Sequence, residues 1–426
     1  MITRIALLWT RLQNSLWGLP IALCLAGAAL AIVALRVRLR AGGDPVWWLY
    51  SGDAADASVF ISNLLGAMIT MATLAISITM VVLALAAQSL GPRLIPIFMS
   101  DNRTKLSLGL FLGTVVYLLL ALRSVVGDAD AVSNLAVTIS VLLVLISVIV
   151  LLFFVHHLAR SIVADTVIER VGQALDGQVR DLLTGESGKH KSLTPAARKS
   201  FQKEGEAIAS PAAGYIQAID YPAIGHAAAD RNAVVLLAVR PGHHVLAGEL
   251  IGWIKPRRAG NEVLSKAVQK SFILGRDRTS TQDLEYSIRQ LVEIALRALS
   301  PGINDPHTAT AVIDRLSTSI ALIMNRADDP GIWCDDEGTV RIHHPSASFA
   351  ALLDSAFSEI RHAGSSNPEI MIALAKRSAQ LYRLAPQHHR KAIAGQLTRL
   401  RKTGLRTLKD PMDRQLLLTS LNVARA

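Results

Sequence analysis

Four stretches free of Asp, Glu, Lys and Arg govern what this chain can fold into: Leu12 to Leu35, Ala57 to Pro92, Leu106 to Leu122 and Ala131 to His157. A helix rises about 1.5 Å per residue and the hydrocarbon core of a bilayer is about 30 Å thick, so about 20 apolar residues suffice to cross it. The runs predict membrane-crossing helices near 15–35, 60–88, 106–126 and 132–156. Composition agrees. Of 426 residues 51% are hydrophobic and only 18% charged, with a mean hydropathy of +0.36, which excludes a disordered chain and makes a lipid bilayer the first expected partner. Arg4 and Arg11 precede the first run as they would in a signal peptide. That run is too long for one, however, and no small-residue cleavage site follows before Arg36, Arg38 and Arg40, so the span reads as retained.

The bias of Lys and Arg in short flanks sets an expected orientation. With the amino terminus inside, the cytoplasmic flanks hold Arg4, Arg11, Arg93, Arg103, Lys105, Arg160 and Arg170, against Arg36, Arg38, Arg40 and Arg123 outside. Four spans then place both termini in the cytoplasm. No Asp, Glu, Lys or Arg occupies the middle of any span, which argues against a proton relay or a charged coupling site at the midplane.

The second span carries a pattern of its own. Ser62, Gly66, Thr70, Thr73, Ser77, Ala84 and Gln88 recur mostly at three- and four-residue spacing, so small and polar groups share one helix face. Two readings fit. Small residues and hydroxyls serve helix packing, or the same face lines a wet pore in an oligomer, with Gln88 and Arg93 at its cytoplasmic end. Gly91, Pro92 and Pro96 then stop the helix.

Residues 158–426 hold 35 of the 44 Lys and Arg and 27 of the 33 Asp and Glu, a net +8 of the chain's +11. Beside a membrane such a surplus points to anionic lipid, and no nucleic-acid-binding motif accompanies it. The apolar positions Val163, Val167, Ile168, Val171, Leu175, Val179 and Leu182 predict a helical stalk leaving the fourth span, followed by a polar linker. Short β-rich runs follow at Tyr215–Asp220, Ala233–Arg240 and Val245–Ile254, with turn signals at Pro241-Gly242 and Gly248. The pattern Ser210-Pro-Ala-Ala-Gly-Tyr-Ile-Gln, then Val239-Arg-Pro-Gly-His-His-Val-Leu-Ala-Gly-Glu-Leu-Ile, resembles barrel-sandwich hybrid modules related to biotinyl and lipoyl domains. Those domains carry a cofactor on a hairpin lysine, and no lysine lies between Glu206 and Lys255, so a structural β module without cofactor is expected.

Beyond Lys266 helices prevail. One apolar face, Ile288 to Leu299, breaks at Ser300-Pro-Gly-Ile-Asn-Asp-Pro-His-Thr. Asp305 is placed to cap the next helix, with Pro306 in its first turn. A hairpin is expected around Ile332–His343, and helices near 346–361, 367–384, 387–402 and 411–423. The corner around Asn304, Asp305 and Thr308 reads either as a helix joint or as an anion site assisted by Arg276, Arg278 or Arg289. Asp283, Glu285, Glu293, Asp305 and Asp314 suggest either a cation site or salt bridges, the latter with Arg276, Arg289 and Arg297.

Gln88-Ser-Leu-Gly-Pro-Arg-Leu, Asp101-Asn-Arg-Thr, the β module, Gly275-Arg-Asp-Arg-Thr-Ser-Thr-Gln-Asp and Arg289-Gln-Leu-Val-Glu-Ile-Ala-Leu-Arg-Ala-Leu-Ser-Pro-Gly-Ile-Asn-Asp-Pro together look like the bacterial predicted-membrane-protein family called domain of unknown function 2254. The resemblance implies a bacterial inner-membrane location and a shared architecture, and it implies no activity.

Catalytic signatures are missing from the sequence: there is no His-Glu-x-x-His, phosphate-loop glycine pattern, Gly-x-Ser-x-Gly or paired-cysteine metal motif. Eight of twelve histidines form adjacent pairs, which point to different faces of a helix or strand and so suit interfacial, turn and surface roles rather than a shared metal. Cys24 and Cys334 cannot form a disulfide framework. The expected architecture is a four-helix transmembrane domain over 1–157, a helical stalk and linker over 158–206, a small β module over 207–260 and a mainly helical cytoplasmic domain over 261–426. The leading functional expectation is a homo-oligomeric passive channel for inorganic ions. The alternative is a membrane-anchored regulatory or scaffold protein whose cytoplasmic domain binds a ligand, lipid or protein. No catalytic residue, metal site, cofactor or nucleic acid is assigned.

Overall fold

The computed structural model describes residues 17–36, 50, 52–89, 91, 94–127, 134–161, 163–183, 193–258, 261–326 and 329–422. These are mostly helical and fall into two compact units, divided between Val167 and Ile168.

In the N-terminal unit the four charge-free runs form α1 (Gly18–Arg36), α2 (Ala54–Ser89), α4 (Asn102–Gly127) and α5 (Asn134–Ser161), each long and apolar enough to cross a bilayer. The short α3 (Ile95–Met99) precedes α4. Helix α2 starts several residues ahead of its apolar run because Asp53 caps it, its carboxylate accepting from the Asp56 amide at 2.8 Å. Helix α4 is the axis of the packing: Phe111, Tyr117, Leu118 and Ala121 are fully buried or nearly so. Its polar groups find partners inside the bundle. Tyr117 Oη donates to the Ala136 carbonyl at 2.9 Å, Thr114 and Ser147 share a hydroxyl contact at 3.4 Å, and the ring of Phe154 meets Phe111 edge-on. Helix α1 comes close enough to α4 that a side chain on Gly27 would run into the backbone of Gly113, and one on Gly109 into Pro20 and Leu23. Small residues permit this approach where lipid supplies no hydrophobic drive.

The C-terminal unit contains α6 (Ala164–Leu182) from Ile168 onward, then α7 (Pro195–Glu204) and two sheets. Strands β1 (Glu206–Ala209), β3 (Val234–Leu237), β5 (Leu250–Lys255), β7 (Ile332–Cys334) and β8 (Val340–His343) form one sheet in the order β1-β5-β3-β8-β7. Strands β4 (His244–Val245), β2 (Gly214–Ile219) and β6 (Phe272–Gly275) form the other. All pairings are antiparallel except β3 with β8. The β-rich runs read from sequence become β2 to β5. Two helices also belong here, α8 (Tyr221–Ala229), capped by Asp220, and α9 (Asn261–Ser271). Ile208, Ile216, Ile224, Val235, Ile254 and Ile342 are among the fully buried side chains of the shared core. The sheet is not confined to one stretch of chain: β7 and β8, the hairpin around Gly338, arrive about a hundred residues after β3 to pair beside it.

Six helices complete the unit: α10 (Leu284–Ala298), α11 (Pro306–Met324), α12 (Phe349–Ala363), α13 (Pro368–Leu384), α14 (Gln387–Thr407) and α15 (Pro411–Asn422). Asp283, Asp305, Ser348 and Asn367 cap α10 to α13 through their side-chain oxygens. In α6, Ile168, Val171, Leu175 and Val179 are buried, Gln178 accepts from the Ser287 hydroxyl at 2.7 Å, and the guanidinium of Arg326 donates to the Leu183 carbonyl at 2.7 Å.

Candidate functional site

On α2, the residues Ile61, Met68, Ala75, Thr79, Val82 and Ala86 are buried and form one helix face. Ser62, Gly66, Thr70, Thr73, Ser77, Ala84 and Gln88 are all exposed on the opposite face. The stripe therefore does not pack against the other spans of its own chain. Nothing lies within 4 Å of a side chain built on Gly66. The hydroxyls of Thr70 and Thr73 donate to the carbonyls of Gly66 and Ile69 at 3.0 and 2.9 Å, which leaves their lone pairs facing outward. Apolar side chains flank the stripe, Val81 at 59% and Leu74 at 54% exposure, as expected of a lipid-facing surface. Arg93 lies outside the described residues.

At the Ser161 end of α5, the His157 ring meets the Asp101 carboxylate, which also accepts from the Thr104 hydroxyl at 3.0 Å. Lys105, on the following turn, is only 2% exposed. Asp101-Asn-Arg-Thr and the His156–His157 pair lie more than fifty residues apart in sequence, and the fold joins them.

The arginines proposed as ligand donors in the C-terminal unit separate. Arg276 is exposed, whereas Arg278 and Arg289 converge with Arg240 on Glu285. Arg240 Nη2 donates to Glu285 Oε2 at 2.8 Å, Arg278 Nε to Asp283 Oδ2 at 2.8 Å, and Arg289 also faces Glu359 at 3.6 Å. Gly242, at φ +89°, passes so close to Asp283 that a side chain there would displace the carboxylate. Burial alone would raise the Glu285 carboxyl, but the hydrogen bond from Arg240 and the charges of Arg240, Arg278 and Arg289 outweigh it and hold it below its ordinary value. Burial and the neighbouring Arg240 push the His243 imidazole down. This cluster ties the β3–β4 loop to α10 and α12, with the arginine charges matched by carboxylates.

Asn304, in the left-handed region at φ +50°, and Asp305 form the corner before α11. Both Asp305 oxygens are engaged by Thr308: Oδ1 accepts its amide at 3.1 Å and Oδ2 its hydroxyl at 2.6 Å, which holds the Asp305 carboxyl low. Among the described residues no hydrogen bond or ion pair links this cap to Arg276, Arg278 or Arg289. Asp314 is held bidentately by Arg377 at 2.6 and 2.9 Å, and Glu293 lies 3.9 Å from Arg297. No three His, Cys, Asp or Glu side chains gather to hold a metal ion among the described residues.

The family described as Predicted membrane protein (DUF2254) matches residues 13–379. Uncharacterized proteins of Mycobacterium bovis and of two strains of Mycobacterium tuberculosis are 29% identical over 417 residues, covering 96% of this chain and 79% of theirs. No solved structure matches the chain significantly.

Proposed function

We propose, for a chain that belongs to the predicted-membrane-protein family domain of unknown function 2254, a passive ion-conducting channel built from several copies, with the polar stripe of α2 lining the pore. One observation carries the reading: Ser62, Gly66, Thr70, Thr73, Ser77 and Gln88 sit on the face of α2 turned away from its own bundle. Hydroxyl and amide groups gain little against acyl chains, and another copy around a wet axis gives them better neighbours. Closed rotational symmetry would bring one such stripe from each subunit to that axis. The absence of charged residues from the middle of the spans favours a passive path for inorganic ions over a coupled pump. The Lys and Arg bias supports both termini and the C-terminal unit lying on the cytoplasmic side, and the family resemblance supports a multi-pass placement in the bacterial inner membrane.

A second reading draws on the Thr70 and Thr73 hydroxyls, which already have acceptors in their own helix. A dry packing face would use them in this way, and the spans would then anchor a regulatory or scaffold protein whose C-terminal unit binds a ligand, lipid or protein. Planar-bilayer recording on the purified full chain separates the two. The channel reading expects ion conductance that falls about tenfold or more in Thr73→Leu, the cost of placing an apolar side chain where an ion needs polar contact. Silent bilayers, or conductance indifferent to Thr73→Leu, would remove it.

A further inference from the structure

A cleft of about 460 Å³ opens in the C-terminal unit where β8 ends at His343 and the chain turns toward the cap of α12. Arg198 of α7, Asp329, His343, His344, Ser346 and Ser348 supply its polar lining. β8 stops at His343 and Pro345 redirects the chain, so that His343, His344, Ser346 and Ser348 all border the cleft, while the His344 ring turns toward Tyr221 of α8.

The chemistry of this lining is unbalanced. His343 Nδ1 is buried with no hydrogen-bond partner among the described residues. The His344 side chain, 8% exposed, stacks on Tyr221 with ring centroids 4.4 Å apart and faces the Asp329 carboxylate at 3.9 Å. Asp329 is engaged on its other side by the amide of Gly331 at 2.9 Å, and its carbonyl accepts from the Ser346 hydroxyl at 2.9 Å. Burial, the neighbouring His344 and the Arg198 guanidinium push His343 below its ordinary value. Burial also lowers His344, with Asp329 opposing. Both shifts favour the uncharged ring, and negative charge arriving beside His343 would favour its protonation. Ser348 begins α12, a helix of 15 residues whose first amides add positive potential on the same side. A metal is a poor fit, since no ligand-spaced group of three side chains exists among the described residues.

We propose that this cleft binds a tetrahedral oxyanion, the phosphoryl head of a small organic phosphate, with Arg198 as the fixed cation and His343 as the proton-dependent donor. The apolar walls, Leu193, Leu236 and Pro330, take the organic part, and the volume lies within the range of small-molecule sites. The proposal is independent of the channel reading.

Calorimetric titration of the detergent-solubilised full chain tests it. Phenyl phosphate is expected to bind, phenol is not, and Arg198→Gln is expected to weaken binding about tenfold, as for loss of one charged hydrogen bond. Phenyl sulfate keeps its charge between pH 6 and pH 8, so its affinity reports the protein alone. It is expected to bind several-fold tighter at pH 6, with that difference shrinking in His343→Gln. Arg198 is exposed on α7, so its variant remains decisive if the histidine variant fails to fold. Displacement of phenyl phosphate by phosphatidate micelles would identify a lipid head group as the source, and resistance to displacement a soluble ester. Absence of binding at both pH values, or equal affinity in Arg198→Gln, overturns the proposal.

Discussion

Arg315 of α11 donates to the Asp176 carboxylate of α6 at 2.7 Å, and the second oxygen of Asp176 accepts from the Ser319 hydroxyl, also at 2.7 Å. Arg315 Nη1 donates back to Ser319 at 3.0 Å, and Glu169 lies 3.0 Å from Nε. The guanidinium passes over Gly172, where any side chain would occupy its place. The ring of contacts explains why α6 is part of the C-terminal core. Asp176→Ala removes the shortest carboxylate contact of a buried guanidinium, leaving it only the half-exposed Glu169, and is expected to destabilise that unit by about 3 kcal/mol. Thermal melts in detergent check this, and replacing the pair with apolar residues, Asp176→Leu with Arg315→Met, should recover much of the loss. An unshifted melt in Asp176→Ala would contradict the account.

Gly113 allows α4 to lie against the backbone of Leu23 and Gly27 on α1. Gly113→Leu forces the helices apart, and an overpacked site of this kind costs about 1–3 kcal/mol or more. The expected result is a lower melting temperature or aggregation on size exclusion. Gly177→Ala, where an added methyl meets nothing within 4 Å, should behave as wild type.

Features decided within a few neighbouring residues were legible in the sequence. The charge-free runs marked the four spans because crossing a bilayer is a condition on local composition. The Asp305 cap was legible because its partner, Thr308, is three residues away. The sequence also carries two further local signals. Asp220 with Pro222 starts α8, and Gly109 with Gly113 carries the small-x-x-x-small spacing of close helix contacts. Other features need the folded chain. The parallel pairing of β8 with β3, the joining of Asp101 to His157, and the convergence of Arg240, Arg278 and Arg289 on Glu285 all depend on distant segments meeting. The periodicity of the α2 stripe was visible from sequence, but the direction it faces depends on where the other three helices pack.

Glu285 gives the C-terminal unit a pH dependence whose sign follows from its arginines. Its carboxyl is held low in the folded state, so the folded state releases this proton more readily than the unfolded chain. The stabilisation is fully present above the unfolded carboxyl value, about 4.3, and is lost as pH falls through the lower folded value. Melting temperatures at pH 5.5 and pH 3.5 should differ more in wild type than in Glu285→Gln. Equal differences would mean that other carboxylates carry the acid sensitivity.

The outward stripe of α2 predicts a pattern of chemical accessibility that does not depend on measuring current. With Cys24 and Cys334 replaced by serine, single cysteines at Thr70, Thr73 and Ser77 should react with small hydrophilic thiol reagents in membranes, because a wet axis lets the thiolate form. Cysteines at Leu74 and Val81, on the exposed apolar flank, should stay unreactive in acyl chains, as should one at Thr79, buried with its hydroxyl bonded to the Ala75 carbonyl. If the stripe is instead a dry contact between copies, Thr70 and Thr73 will also be silent to these reagents, and oxidation will cross-link them into dimers. Labelling confined to the stripe favours the pore, and cross-linking without labelling favours the packing face.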